Sequence, residues 1–256
     1  MDIADPALGP DQVLISVEAI SIEGGDLINR RLTPPPRAPW VVGYAASGVI
    51  VAVGAEVKKR KVGDRVAAFD MQGSHAELWA VPAMCTWLIP DEVDAADAAV
   101  LPISFGTAYY CLFTRGGLQR SETVLIQAAA GGVGLAAVQL ATQAGARVIA
   151  VASGQMRASR LRSLGAFHVV DRTSHDVADT VRQITDGRGV DLVVDPVGTT
   201  LPASISVLAV EGRIVFVGNA GGGSLSVDLW YPMQANQTLL GVFMDLFSKG
   251  PMFTRL

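Results

Sequence analysis

Along the first eighty residues the apolar positions fall in short β-branched runs cut by turn residues, a pattern that predicts strands over 13–17, 48–53, 65–69 and 76–81. The stretch 33–39, Thr-Pro-Pro-Pro-Arg-Ala-Pro, is expected to be a loop, because proline lacks the amide donor and restricts the residue before it. Four consecutive bases, Lys58 to Lys61, run straight into the turn signal Val62-Gly-Asp-Arg65, which favours a solvated β-turn over a nucleic-acid patch. After Asp97 the texture changes. Alanine-rich helical stretches alternate with apolar runs at 123–127, 147–151, 167–170, 190–194, 212–217 and 239–243. Six such runs joined by crossovers predict an α/β fold with a doubly wound parallel sheet. The chain is therefore divided at this stage into 1–97, mostly β, and 98–256, α/β.

Composition sharpens the picture. With 256 residues, 50% hydrophobic and 17% charged, the chain can bury a large core and is neither disordered nor collagenous. A mean hydropathy of +0.37 raises the question of a membrane, since 123–146 carries no charge. That run holds Gln127, Gln139, Gln143 and the cluster Gly131, Gly132 and Gly134, so it divides into strand, turn and helix, and no membrane insertion is expected. A net charge of −4 gives no electrostatic footprint for nucleic acid. Two distant cysteines, Cys85 and Cys111, with three scattered histidines supply no cysteine-rich zinc site and suit a reducing compartment, with the cytoplasm as the expected location. The opening Met-Asp-Ile-Ala-Asp-Pro lacks the basic and apolar regions of a secretory signal.

The chemistry centres on Ala129-Ala-Gly131-Gly-Val-Gly134, which has the spacing G-x-G-x-x-G with alanine first, between an expected strand and an expected helix. Gly131 would let the backbone approach a pyrophosphate, Gly134 would let helix and sheet pack closely, and free amides at the helix start would attract phosphate charge. A tight packing turn without a ligand is the blander alternative. An NAD site should then present an acid to the ribose 2′-hydroxyl about 20 residues on. Here the strand ends Val151-Ala-Ser153-Gly154 with no carboxylate, and Arg157, Arg160 and Arg162 follow, which favours the 2′-phosphate of NADPH. Arg157, nearest the strand end, is the first choice.

With these residues placed, the sequence resembles the medium-chain dehydrogenase/reductase superfamily, in its zinc-independent quinone oxidoreductase (zeta-crystallin-like) branch. The markers are Gly43-Tyr-Ala-Ala-Ser-Gly48, Val62-Gly-Asp-Arg-Val66, Phe105-Gly-Thr-Ala-Tyr109, the 128–134 turn with Ala137-Val-Gln-Leu140, Leu164-Gly-Ala166, Asp195-Pro-Val-Gly198 and Val217-Gly218. The resemblance implies a chaperonin-10-like β domain for the substrate, followed by a Rossmann domain for the nicotinamide cofactor, with the active site in the cleft between them. It implies that Thr107 lies near the nicotinamide, that Gly131, Gly132 and Val133 hold the pyrophosphate, and that Ser153, Gly154 and Arg157 meet the 2′-phosphate. Arg172 stands where several relatives have a tyrosine beside that phosphate. Gly198, Gly218, Asn219 and Phe243 would line the rest of the cofactor, and Asp26 and Tyr44 would join Thr107 in the substrate pocket. No residue is assigned as catalytic.

Zinc-dependent relatives carry an early cysteine, a His-Glu pair in the Gly43 motif and a four-cysteine lobe; Tyr44-Ala45 replaces the pair here. Glu23 stands where many relatives have asparagine and Ala45 where most have glutamate. Relatives also start with another strand and finish with a segment returning to the β domain, so that domain is expected to be partly incomplete. The expected activity is zinc-independent hydride transfer from NADPH to a quinone or related α,β-unsaturated carbonyl compound. The alternatives are a non-catalytic NADPH-binding protein or an inactive truncated relative. Pairing of two copies through the sheet edge at 239–243 is expected as well.

Overall fold

In the computed structural model, residues 2–32, 34–35 and 38–244 are described; Thr33, Pro36 and Arg37 of the expected proline loop lie outside the described residues. The described residues up to Ile103 form one compact unit and Ser104–Phe243 a second.

The first unit is built on five strands, β1 (Gln12–Ser21), β2 (Ala45–Val53), β3 (Arg65–Phe69), β4 (Leu78–Pro82) and β5 (Thr86–Leu88), in the order β4-β1-β2-β3-β5. All neighbours are antiparallel. Alternate residues of β1 point inward, and Val13, Ile15, Ala46, Ile50, Val66, Trp79 and Val81 close a core around Cys85. Strands β1 and β2 are longer than their β-branched runs predict. Ala45, Ala46 and Ser47 are poor strand formers, yet they pair with β1 on one side and β3 on the other, and burial between two ladders overrides propensity. β5 was not expected at all; Arg60 holds it in place, its guanidinium donating to the Thr86 hydroxyl (2.8 Å) and carbonyl (2.5 Å). One of the four clustered bases is therefore a structural clamp. Helix α1 (Gly24–Leu32) follows β1.

Helix α2 (Ala95–Val100) also belongs to this unit, capped by the Asp94 carboxylate, which accepts from Asp97 N at 2.8 Å. The Ser47 hydroxyl donates to its Ala95 carbonyl at 2.5 Å, and by compactness the first unit extends to Ile103. From Ala95 the chain stays helical to Arg115, through two π-helical turns that flank α3 (Gly106–Tyr109). This stretch is long and apolar enough to cross a membrane by length and composition alone.

The second unit holds six parallel strands: β6 (Thr123–Ile126), β7 (Arg147–Ala152), β8 (His168–Asp171), β9 (Val190–Asp195), β10 (Leu208–Phe216) and β11 (Thr238–Gly241). Their order, β11-β10-β9-β6-β7-β8, reverses direction between β6 and β9, the point where doubly wound sheets bind ligands. Helices α4 (Gly132–Gln143), α5 (Gln155–Ser163), α6 (Val177–Ile184), α7 (Leu201–Ser206) and α8 (Trp230–Gln234) complete the unit. Leu125, Ile149, Val151, Val170, Val193 and Ile214 form its fully buried centre. The uncharged run 123–146 resolves into β6, a turn and α4, as its glutamines and glycines require. Two strands are displaced from expectation by a residue or two. Phe167 precedes β8 and lies 3.9 Å under the Arg147 guanidinium, a cation–π contact that keeps it out of the ladder. β11 ends at Gly241, so Phe243 lies beyond it, two-thirds exposed.

Candidate functional site

In the second unit the glycine turn sits at the carboxyl end of β6, where α4 begins. Gly131 is the N-cap residue of α4 and no side chain caps the helix; its first internal bond runs from Leu135 N to Gly131 O at 2.8 Å. The amides of Gly132, Val133 and Gly134 therefore stand at the helix mouth with the positive end of the helix dipole. The two flanking glycines do different work. A Cβ on Gly131 would have Ala128 O at 3.4 Å as its sole neighbour, so the approach to the turn is open. A Cβ on Gly134 would come within 2.5 Å of Ala128 O and 2.6 Å of Ala129 Cα, so this glycine is required for helix and turn to meet. The left-handed residue of the turn is Ala128 (φ 47°), one position before the alanine in the motif's first place. This cradle of open approach, amides and dipole fits a dinucleotide pyrophosphate.

At the neighbouring tip, β7 runs out into Ser153 and Gly154 (φ 88°), and α5 starts with Gly154 as its N-cap residue. Arg157 on α5 and Arg172 just after β8 are both exposed; the Arg157 guanidinium donates to Ser153 O at 3.4 Å and the Arg172 backbone amide to Ala152 O at 3.0 Å. The structure thus brings Ser153, Gly154, Arg157 and Arg172 together. It also adds a residue that reading along β7 misses. Asp171, on the next strand, accepts from Gly154 N at 3.1 Å and from Thr173 N and Oγ1 at 3.0 and 2.7 Å, and these bonds, the Thr173 hydroxyl first, hold its carboxyl below the usual range.

Across the sheet's switch point, β9 ends in Asp195, fully buried, which accepts from Val197 N, Gly198 N, and the hydroxyls of Thr200 and Ser204 at 2.7–3.0 Å. Gln127 at the end of β6 donates to Ser204 Oγ at 3.1 Å. This network fixes the turn carrying Gly198 (φ 81°), against which Asn219 packs: a Cβ on Gly198 would lie 2.6 Å from Asn219 Oδ1. Gly218 crosses over Pro196, and Asn219 Nδ2 donates to Gly223 O at 2.8 Å. The resemblance had marked the glycines and Asn219, with Asp195 only as the start of the Asp195–Gly198 marker; its role as the buried hub joining Gly198, Thr200 and Ser204, with no basic partner among the described residues, shows only in the structure. Thr107 is buried in α3.

In the first unit Asp26 and Tyr44 lie together, apart in the chain's division from Thr107. Asp26 is buried and accepts from Glu23 N at 2.8 Å, closing the start of α1, while Ser21 Oγ donates to Glu23 Oε1 at 2.6 Å. The Tyr44 hydroxyl accepts from Asn29 Nδ2, and its ring packs so closely on Gly25 that a Cβ there would lie 2.7 Å away. Burial, and then the Asp26 carboxylate, push the Tyr44 hydroxyl up from its ordinary pKa, so it stays protonated and able to donate. His75 Nε2 lies 3.3 Å from Ser21 O, a structural contact.

The family models that match are "Alcohol dehydrogenase GroES-like domain" over residues 9–91 and "Zinc-binding dehydrogenase" over residues 132–252. Quinone oxidoreductase-like protein 2 of Rattus norvegicus is 35% identical over 246 residues, covering 94% of this chain and 70% of that protein. The synaptic vesicle membrane protein VAT-1 homolog of Homo sapiens is 38% identical over 224 residues, 85% of this chain, and this chain spans 56% of its length. Among solved structures, Escherichia coli quinone oxidoreductase complexed with NADPH superposes with a TM-score of 0.86 at 28% identity, over 99% of this chain and 81% of that one. The chain belongs to the medium-chain dehydrogenase/reductase superfamily, in its zinc-independent quinone oxidoreductase-like branch, with a GroES-like β unit followed by a Rossmann-like parallel sheet. The zinc in the second family model's description does not fit the described residues: no three His, Cys, Asp or Glu side chains converge among them, and Cys85 and Cys111 are buried in separate units.

Proposed function

We propose that this oxidoreductase transfers hydride from NADPH to a quinone or related α,β-unsaturated carbonyl compound without zinc. The observation that carries the reading is the helix mouth at Gly131–Gly134, open toward a pyrophosphate and closed toward the sheet. NADPH, when bound, supplies the hydride from nicotinamide C4. The chain's own residues hold it in place. The amides of Gly132 and Val133 take the pyrophosphate, Arg157 and Arg172 take the 2′-phosphate, and Gly198, Gly218, Asn219, Thr107 and Phe243 line the remainder. The Asp195 network holds Gly198 rigid, which keeps the nicotinamide side oriented at little cost in entropy. On the resemblance, Asp26 and Tyr44 in the first unit, and Thr107 in the second, are substrate-side residues, and the protonated Tyr44 hydroxyl is able to donate a hydrogen bond. The NADPH complex of the E. coli relative supports the cofactor reading.

The units divide the work, on this reading, with 104–243 for cofactor and the preceding residues for substrate. Among the described residues β11 stands last in its sheet and has a neighbouring strand on one side only; on this reading two copies pair along its other side as a homodimer. The two free thiols suit the cytoplasm. A net charge of −4 argues against nucleic acid as a partner. One observation favours the second reading, a non-catalytic NADPH-binding protein: Ala45, where most relatives carry glutamate, is a fully buried strand residue opposite Phe69 and offers no polar group. NADPH deuterated at C4 decides between them. Deuterium on the β-carbon of a reduced enone, or quinone-dependent oxidation of NADPH (the transferred deuterium exchanging from the hydroquinone oxygen into water), supports hydride transfer; NADPH binding with neither a labelled enone product nor oxidation by a quinone supports the second reading.

A further inference from the structure

At the tip of β7 a carboxylate arrives from the neighbouring strand. Ala152, the last residue of β7, pairs with Asp171, the last residue of β8. That register carries the Asp171 side chain across the strand end to the Gly154 amide, 3.1 Å away. Gly154 is the N-cap residue of the nine-residue helix α5 and no side chain within the helix start caps it, so an amide well suited to an incoming phosphate oxygen is already engaged by an anion. In doubly wound folds the end of this second strand faces the adenosine ribose, where an acid on the strand itself selects the 2′-hydroxyl. β7 ends in Ser153-Gly154 and brings no such acid.

We propose that Asp171 is a specificity-determining residue of the nucleotide site, standing in from β8 for the missing acid of β7 and opposing the 2′-phosphate that Arg157 and Arg172 attract. The proposal rests on the nicotinamide-cofactor reading above and deepens it. A carboxylate offers about four acceptor directions. Asp171 uses three, for Gly154 N, Thr173 N and Thr173 Oγ1, which leaves one for a ribose hydroxyl. The same bonds keep it ionised at neutral pH. Against a hydroxyl it is a partner; against a phosphate it is a like charge, with His175 the remaining titratable group acting on it. The chain therefore binds both nucleotides, and its preference for NADPH is smaller than two arginines alone would give.

The test is equilibrium binding of NADPH and NADH by fluorescence titration to the wild-type chain and to Asp171→Asn and Asp171→Ser, with thermal melts to show that each variant folds. Asparagine keeps one acceptor oxygen, enough for Gly154 N, gives up the oxygen that accepts from Thr173 N, and deletes the charge. The expected result is a rise of about five- to tenfold in the NADPH:NADH affinity ratio at low salt, shrinking as salt is added. Serine, which cannot reproduce the carboxylate's three bonds, is expected to raise the ratio too while weakening both nucleotides. An unchanged ratio in a folded variant, with both affinities falling together, would show Asp171 to be a brace for Gly154 and would overturn the proposal. Failure of the wild-type chain to bind either nucleotide would instead overturn the cofactor reading on which it rests.

Discussion

Gly134 sits so close beneath Ala128 that a Cβ on it would stand 2.5 Å from the Ala128 carbonyl oxygen, whereas the same atom on Gly131 meets that oxygen at an ordinary 3.4 Å. The two glycines of one motif therefore separate packing from binding. Gly134→Ala must push the backbone of α4 off the turn, and the expected cost is about 1–3 kcal/mol of stability with loss of nucleotide binding. Gly131→Ala is expected to melt within a degree or two of wild type and yet to lose most of its NADPH affinity, because its methyl occupies the approach of the pyrophosphate. Melting and fluorescence titration of the two variants check this.

Arg213 on β10 donates Nε to Gly116 O at 2.6 Å and two further nitrogens to both oxygens of Glu122 at 3.1 and 2.7 Å. The pair is largely shielded from solvent and ties the end of the long helical stretch to the sheet. Removing the base leaves a poorly solvated carboxylate, so Arg213→Ala is expected to cost about 2–3 kcal/mol in urea unfolding. Arg213→Lys, which cannot make the forked contact, is expected to recover part of that.

Asp191 accepts Thr123 N at 2.7 Å and a forked pair of bonds from Arg188 at 2.7 and 2.9 Å, joining β9 to the start of β6. The Arg188 bond, followed by the Thr123 amide, holds its carboxyl below the ordinary value. A folded-state pKa below the unfolded one means that the stabilisation is present above about pH 4 and is lost as pH falls through the folded value. The difference in melting temperature between wild type and Asp191→Asn is expected to be constant from pH 8 to about pH 5 and to close below about pH 4.

Cys85 and Cys111 are both fully buried, and burial pushes each thiol up to about 12, with Asp70 and Asp11 adding to the effect at Cys85. At pH 8 roughly one thiol in ten thousand is ionised. Native protein is expected to show no fast reaction with a thiol-disulfide reagent, and unfolded protein two equivalents; a fast native equivalent would place one cysteine in an accessible site.

The parts of this molecule that could be read from sequence are those set by local chemistry. The Gly131–Gly134 turn, its flanking strand and helix, and the β-branched runs all carry their own signals. What escaped was set by neighbours far along the chain. β5 is three residues long, pairs with β3, and is bonded at Thr86 by Arg60, 26 residues earlier. Ser47 on β2 bonds Ala95, the first residue of α2, from 48 residues away. Asp171 was invisible to a search along β7 because it lies 17 residues beyond Gly154 and arrives through strand register. The glycine turn was thus legible in the sequence, whereas the tip of β7 was read incompletely, because the adjacent strand β8 supplies Asp171 to it.

The central claim is tested most directly in one cuvette: NADPH and NADH are each titrated against the purified 256-residue chain by fluorescence, then a simple quinone is added and cofactor oxidation is followed. The account predicts binding of both nucleotides with NADPH favoured, weakening of NADPH by Arg157→Ala, and oxidation that depends on the quinone. Binding with no oxidation by any quinone or enone would contradict the catalytic claim, and a preference for NADH would contradict the assignment of Arg157 and Arg172 to a 2′-phosphate.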